Sequence, residues 1–325
     1  MKGTISRKLD HLRTILLLFS LYFGSTALAL ACSNQKVNEL AQLENSGKSG
    51  QTLLLALESM TNVETCGRYN YLVGLGFAQE KKWRNAIKSF KESLTPDSPE
   101  TYGRLAESAY NHAQTRDGQG IRNRFLSQAS TNANLANGLF KEQRKTTPPW
   151  LVDLILAIGS STENADSDYY AQAIANSTQL ASGAKSLGYV QSKGGYKGAG
   201  VVPGIDVQIL FEYNSASLSA EGKRQVSELG GALTQYLSAS PAARFSIVGH
   251  TDIQGDATYN EKLSRQRAGT VAAALRSLLS NVSIQEFARG ESDPKLPVDL
   301  TQPMDSRKNQ LINQANRRVE VMVSQ

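Results

Sequence analysis

Asp252 and Arg267 are the residues whose types and positions offer the clearest chemistry in this sequence. Asp252 closely follows an apolar segment that ends at Gly249, and Arg267 lies in a helical pattern that begins soon afterwards. Asn260 is seven residues before Arg267, about two helical turns, so both side chains project from one helix face. A guanidinium binds a carboxylate through two hydrogen bonds, and an aspartate accepts hydrogen bonds from an ammonium group. Held apart, the two charges would bind a zwitterion; as partners, they would form a structural salt bridge.

His250 directly precedes Thr251 and Asp252, and a histidine in such a turn can bind a metal or act as a base. No second histidine lies near it in the sequence, and Cys32 and Cys66 belong to another part of the chain. Metal sites and nucleophilic triads both need several such side chains together. We therefore expect no metal, no cofactor and no catalytic residue, and a structural role for His250.

Residues 205–325 alternate between strand-like and helix-like patterns. The predicted strands, which are short and rich in β-branched and aromatic residues, are 205–211, 245–249, 284–288 and 319–323. The predicted helices, with apolar residues at three- and four-residue steps, are 219–237 and 256–279. The segment 293–313, which includes Arg307 and Lys308, is predicted to be a long polar loop. Strands separated by helices indicate an α/β layer with crossover connections.

Several motifs of this region, in order, resemble the OmpA-like domain family. Gly249-His250-Thr251-Asp252 leads into Asn260-x-x-Leu263-Ser264-x-x-Arg267-Ala268-x-x-Val271-x-x-x-Leu275, which is similar to the family's helix signature at every fixed position. Ile209-Leu210-Phe211-Glu212-Tyr213-Asn214 resembles its first strand and the loop that follows. Asn316-Arg317-Arg318-Val319-Glu320-Val321 resembles its closing strand.

The resemblance implies an α/β sandwich of order β-α-β-α-β-β and a non-catalytic domain that binds the peptide stem of peptidoglycan, typically at diaminopimelate. Carried over by position, the ligand-binding residues are Asp252, Arg267, Asn214, Asn260, Thr251 and Leu263. Diaminopimelate in the stem keeps a free ammonium and carboxylate on one carbon. Asp252 would accept from the ammonium and Arg267 would bind the carboxylate, and a ligand lacking either charge would leave a partner unpaired.

Residues 32–183 have helical periodicity without the alternation of strands, which predicts an all-α domain and an α+β multidomain chain. Gly74, Phe77, Ala86 and Phe90 have the spacing of one tetratricopeptide repeat, so a TPR-like domain is predicted, with an unrelated helical bundle as the alternative. Residues 184–204 are rich in glycine and lack the ending of a phosphate-binding loop. They are interpreted as a linker to the domain at 205–325.

Residues 1–31 have the features of an export signal. Lys2, Arg7, Lys8 and Arg13 precede an apolar core, and Ala29-Leu30-Ala31 is a cleavage site of the A-x-A type. We therefore expect a protein of the periplasm that is bound to the cell wall and associated with the outer membrane.

The chain has two cysteines, Cys32 and Cys66, and in an exported protein two cysteines favour a disulfide. Cys32 directly follows the expected cleavage site, where a bacterial lipoprotein carries its lipid, but Ala29 stands where the usual motif has leucine. Lipidation of Cys32, which would make an outer-membrane lipoprotein, is the alternative.

The net charge of +6 comes from scattered basic residues, so no nucleic-acid partner is predicted. The favoured function is a wall-bound scaffold whose helical domain binds an unknown envelope protein. The alternatives are a peptidoglycan-remodelling enzyme, for which the helical half shows no catalytic motif, and a wall-anchored component of a secretion or motility machine. A flagellar-stator-like motor protein would need a retained membrane helix with an ionisable residue, and Ile15–Ala31 contains none.

Overall fold

The computed structural model describes residues 50–59, 67–94, 98–186, 205–212 and 214–324. The predicted export signal, both cysteines and all but the first residues of the predicted linker lie outside these ranges. In the described residues, no helix is both long and apolar enough to cross a membrane.

The chain divides into two compact units, Met1–Ser108 and Ala109–Gln325. The helices, in chain order from α1 to α10, are Gly50–Glu58, Gly67–Gln79, Trp83–Glu92, Pro99–Gln114, Gln119–Glu142, Pro149–Ser161, Ser167–Ser186, Ala220–Ala239, Ala257–Leu278 and Arg307–Asn316. The strands, β1 to β4, are Ile205–Val207, Arg244–His250, Ser283–Gly290 and Val319–Ser324. The predicted α+β architecture is confirmed.

In the first unit, α2 and α3 pack closely at Gly74. A Cβ atom at this glycine would lie 2.7 Å from the ring of Phe90, which is fully buried, so a larger residue would push the helices apart. Tyr71 meets the same ring edge to face, at 5.7 Å between ring centres. This is the close approach that the spacing of Gly74 and Phe90 predicts, whereas the assignment to a TPR-like repeat stays a prediction.

In the second unit, the sheet has the order β1-β4-β2-β3. β4 is antiparallel to both of its neighbours, and β2 is parallel to β3, with α9 as the crossover between them. Phe245 and Ile247 of β2 and Val321 of β4 share one hydrophobic core with α8 and α9. This arrangement places the end of β2, the start of β4 and the start of α9 side by side.

Helices α5 and α7 contribute to the same hydrophobic core as the sheet. Tyr169, Tyr170 and Ile174 of α7 are buried in one cluster with Val207 of β1 and Leu229 of α8. The compact units therefore divide after Ser108, whereas the sequence places the domain boundary at 184–204. The two boundaries differ because sequence periodicity shows where helices are followed by strands, but it does not show which elements share a hydrophobic core.

Two local predictions are wrong. The first strand ends at Val207 and not at residue 211, because the N–H of Leu210 is taken by the Gln225 side chain and Phe211 forms an isolated bridge with Leu218. The predicted polar loop 293–313 contains the start of α10, which Ser306 caps by accepting from the N–H of Asn309. The order is therefore β-α-β-α-β-α-β.

Candidate ligand-binding site

The turn after β2 is fixed on both sides by backbone contacts. The N–H of Thr251 donates to Gly290 O at the end of β3, at 2.8 Å. A Cβ atom at Gly249 would lie 2.1 Å from Ser264 O of α9, so the strand and the helix approach as only glycine permits. Asp256 caps α9 by accepting from the N–H groups of its first turn. The turn is thus held in one position before any ligand binds.

Asp252 is 7% exposed and is paired with Arg317, which follows α10. Its Oδ2 lies 2.5 Å from Arg317 Nη1, and its Oδ1 accepts from the N–H of Gln254 at 3.1 Å. Among the ion pairs of the described residues, none joins Asp252 to Arg267. The alternative of a structural bridge between those two side chains therefore has no support in the geometry.

Arg267 is 9% exposed and is oriented by its Nε atom. This atom donates to Ser215 O at 3.1 Å, and the guanidinium carbon lies 4.9 Å from the centre of the Phe211 ring. Burial lowers the pKa of Arg267, as does nearby Arg317, while Asp252 and Tyr259 raise it. A guanidinium stays protonated despite such shifts. No described residue accepts a hydrogen bond from its terminal nitrogens, which leaves that end of the fork for a ligand.

Asn260 organises the turn that carries Asp252. It is 2% exposed, and its Nδ2 lies 2.6 Å from Glu291 Oε2, 3.0 Å from Gln254 O and 3.4 Å from Asp252 O. The amide hydrogens therefore bond the protein itself, and the geometry favours a positioning role over direct ligand contact.

Asn214 connects the loop after β1 to the first turn of α9. It has a φ of +51°, in the left-handed region that asparagine tolerates better than most residues. Its Oδ1 accepts from the hydroxyl of Tyr259 at 2.5 Å, and Tyr259 is 44% exposed. The next residue, Ser215, supplies the carbonyl that holds Arg267. Asn214 thus lies at the rim of the site and helps to fix its cation.

Thr251 directly precedes Asp252, and Leu263 lies about one turn before Arg267 on α9; both side chains are buried. The Thr251 hydroxyl has no hydrogen-bond partner among the described residues. A buried hydroxyl without a partner is unfavourable, so a bond to this hydroxyl would stabilise the turn.

His250 is buried at the end of β2, and its side chain lies near that of Glu320 on β4. Its Nε2 is 3.5 Å from Glu320 Oε2, but neither ring nitrogen makes a hydrogen bond to a described residue. Within the described ranges, no group of three or more histidine, cysteine, aspartate or glutamate side chains has a metal-binding arrangement.

Sequence reasoning missed Arg317 and Glu291. Arg317 pairs with Asp252, and Glu291 accepts from Asn260. A signal for Arg317 exists in the sequence, since it lies in the motif that resembles the closing strand. Glu291 had no comparable signal in the sequence.

Comparison with known proteins identifies part of the second unit. Residues 210–310 match the OmpA family. The peptidoglycan-associated lipoprotein of Legionella pneumophila is 38% identical over 78 residues, which are 24% of this chain and 41% of that protein. The outer-membrane lipoprotein YfiB of Pseudomonas aeruginosa is 28% identical over 123 residues, which are 37% of this chain and 64% of that protein. This chain thus spans less than two thirds of the length of either relative.

Among solved structures, the peptidoglycan-associated lipoprotein from Burkholderia pseudomallei is 25% identical, with a TM-score of 0.28, and covers 36% of this chain and 88% of that one. The matched residues 210–310 contain α8, β2, α9 and β3, together with every residue of the site except Arg317. The part of the chain that matches the OmpA family thus lies within the second unit.

Proposed function

We propose that this protein is a non-catalytic, peptidoglycan-binding protein of the cell envelope, anchored to the wall through diaminopimelate in the stem peptide. The observation that carries the proposal is Arg267, a buried guanidinium held at Nε with its terminal nitrogens left unbonded by described residues. Such a fork binds a carboxylate through two hydrogen bonds. The OmpA family match and the peptidoglycan-associated relatives support the same reading.

The charges of the site suit a zwitterion. Arg317 pairs with Asp252 and neutralises its carboxylate in part, and the charges of both residues act on Arg267. A ligand carboxylate on Arg267 places the neighbouring ammonium toward Asp252, and Thr251 offers a further hydroxyl. A purely cationic ligand would meet two guanidiniums and bind poorly.

The proposal is tested by sedimentation of the full chain with purified sacculi. Sacculi whose stems contain diaminopimelate are expected to retain the protein, and free diaminopimelate is expected to release it. Sacculi with lysine in that position lack the second carboxylate and serve as the matched control. Equal retention by both kinds of sacculi would contradict recognition of diaminopimelate.

The proposed location is the periplasm, at the wall and beside the outer membrane, and the helices of the first unit are proposed to bind an envelope protein. The two relatives above are lipoproteins by name, which keeps lipidation of Cys32 as the alternative to a disulfide with Cys66.

Mass spectrometry of the mature protein is expected to show an N-terminus close to Cys32 and a peptide in which Cys32 is joined to Cys66. A bacterial lipoprotein carries a diacylglycerol-modified cysteine at its first residue, so that mass on Cys32 would make this an outer-membrane lipoprotein. Alkylation of Cys66 in the native oxidised protein would exclude the disulfide.

A further inference from the structure

The C-terminal part of α5 holds the loop between β3 and α10. Asn137 is 4% exposed, and its Nδ2 donates to Lys295 O at 2.8 Å while its Oδ1 accepts from the Thr147 hydroxyl at 2.7 Å. One turn later, Lys141 Nζ donates to Pro294 O at 2.6 Å and lies 3.7 Å from Asp293 Oδ1. Two side chains of one helix thus clamp residues 293–295.

The same loop begins at the candidate site. Gly290 O accepts from the N–H of Thr251, and Glu291 Oε2 accepts from Asn260 Nδ2 at 2.6 Å. Asn260 in turn binds the backbone of the turn that carries Asp252. The clamp on α5 and the ligand-binding turn are therefore joined by the short segment 291–295.

Further contacts tie the C-terminal end of this segment to β1 and to the end of α10. Lys295 Nζ lies 2.8 Å from Asp206 Oδ2 on β1, and Arg318 Nε lies 2.9 Å from Asp206 Oδ1. Burial raises the pKa of Asp206, but Lys295 and Arg318 outweigh it and hold this pKa well below its usual range. Leu296 exchanges both backbone hydrogen bonds with the Asn316 side chain.

We propose that Asn137 and Lys141 are positioning residues of the wall-binding site, acting through the 291–295 segment and Glu291 on Asn260. The proposal rests on the proposed function and assigns it a regulator: helix α5, which lies outside the matched OmpA residues. Anything that moves the end of α5 then changes the affinity for the stem peptide.

The test uses the full chain with Asn137→Ala and Lys141→Met. Asn132→Ala is the control for the first, because Asn132 is also buried on α5 but bonds only Gln128 O of its own helix. Lys145→Met, at an exposed position, is the control for the second. Affinity for diaminopimelate-type sacculi and hydrogen exchange of the amides of 251–255 and 290–296 are measured for each.

Both test variants are expected to bind sacculi about tenfold more weakly, the effect of losing one ordinary hydrogen bond, and to exchange faster in both segments. Lys141→Arg restores the contact and is expected to restore affinity. The controls are expected to keep the affinity and both exchange patterns, even where Asn132→Ala lowers the melting temperature. A purely structural role for the clamp would make affinity follow the melting temperature in all variants.

Unchanged exchange at 251–255 in Lys141→Met, an exposed substitution that leaves the fold intact, would overturn the proposal. So would unchanged affinity in a variant whose loop exchange has risen. If the wild-type chain does not bind sacculi, the proposed function fails, and the exchange comparison still decides whether α5 positions the turn.

Discussion

Arg267→Ala is expected to abolish retention on diaminopimelate-type sacculi while the protein stays folded. In the proposed binding mode, the ligand carboxylate bonds the terminal nitrogens, which no described residue uses, and the loss of one partner from a buried charge pair costs about 2–5 kcal/mol. Such a loss corresponds to roughly 30-fold or more in affinity. The stability change is expected to be smaller, because the side chain makes one hydrogen bond and one ring contact to the protein.

The matched control is Arg265→Ala on the same helix. Arg265 pairs with Glu261 at 2.8 Å and is 65% exposed, so its loss removes an equal charge without touching the site. Arg267→Lys keeps the charge but loses the fork and the bond to Ser215 O, and intermediate affinity is expected. Thermal melts of all variants separate a binding defect from unfolding. Normal retention by a folded Arg267→Ala protein would contradict the proposed mechanism.

The central motif was predictable because its chemistry and its geometry are both local. Gly249 to Asp252 and the pattern from Asn260 to Leu275 lie in one strand, one turn and one helix, so their spacing alone places Asp252 and Arg267 near each other. Arg317 was not assigned to the site, because its contact with Asp252 depends on β4 pairing beside β2, with Gly249 opposite Val319. Pairing between strands far apart in sequence leaves no trace in local periodicity.

The sequence does not predict α10 because most of its buried residues are asparagines, with only Ile312 and Ala315 as apolar ones. Asn309, Asn313 and Asn316 are all buried on it, and Asn309 bonds the backbone of the preceding loop at Asp299 and Pro303. Sequence patterns locate helices by apolar residues, whereas here the amides of Asn309 and Asn316 bond the backbone of the preceding loop. The same limit applies to Asn137, whose buried amide reaches a loop far away in the sequence.

A fragment from Gly200 to Gln325 is expected to be much less stable than one from Pro99 to Gln325. The shorter fragment removes α5 to α7 and exposes the face of α8 and β1 that shares a core with Tyr169, Tyr170 and Ile174. Each buried tyrosine removes about 150–250 Å² from water, worth on the order of 4 kcal/mol as an upper estimate. For the two tyrosines together, this contribution is comparable to the total free energy of unfolding of an ordinary domain, about 5–15 kcal/mol.

Polar contacts add to the same interface. The N–H of Ser167 donates to Glu228 Oε2 at 2.9 Å, and Gln225 Nε2 donates to Glu163 O at 3.1 Å. In the shorter fragment Gln225, which is 2% exposed here, is uncovered together with its apolar neighbours. Binding of a hydrophobic dye and a melting temperature lower by about 10 °C or more are therefore expected for the Gly200 fragment.

The longer fragment is expected to melt in a single transition, because one core joins helix α7 to the sheet.

Ile174→Ala, which removes a fully buried side chain from α7, is expected to destabilise this fragment by about 2–5 kcal/mol. Hydrogen exchange in β2 is expected to rise with that in α7, although β2 is distant from residue 174 in the sequence. Ile121→Ala, at a 53% exposed position on α5, is the control and is expected to leave both unchanged. Two results would contradict this expectation: a Gly200 fragment that melts at the same temperature as the longer one, or an Ile174→Ala variant in which exchange rises in α7 alone. Either result would show that the helices fold independently of the sheet. The predicted domain boundary at 184–204 would then also separate two independently stable units.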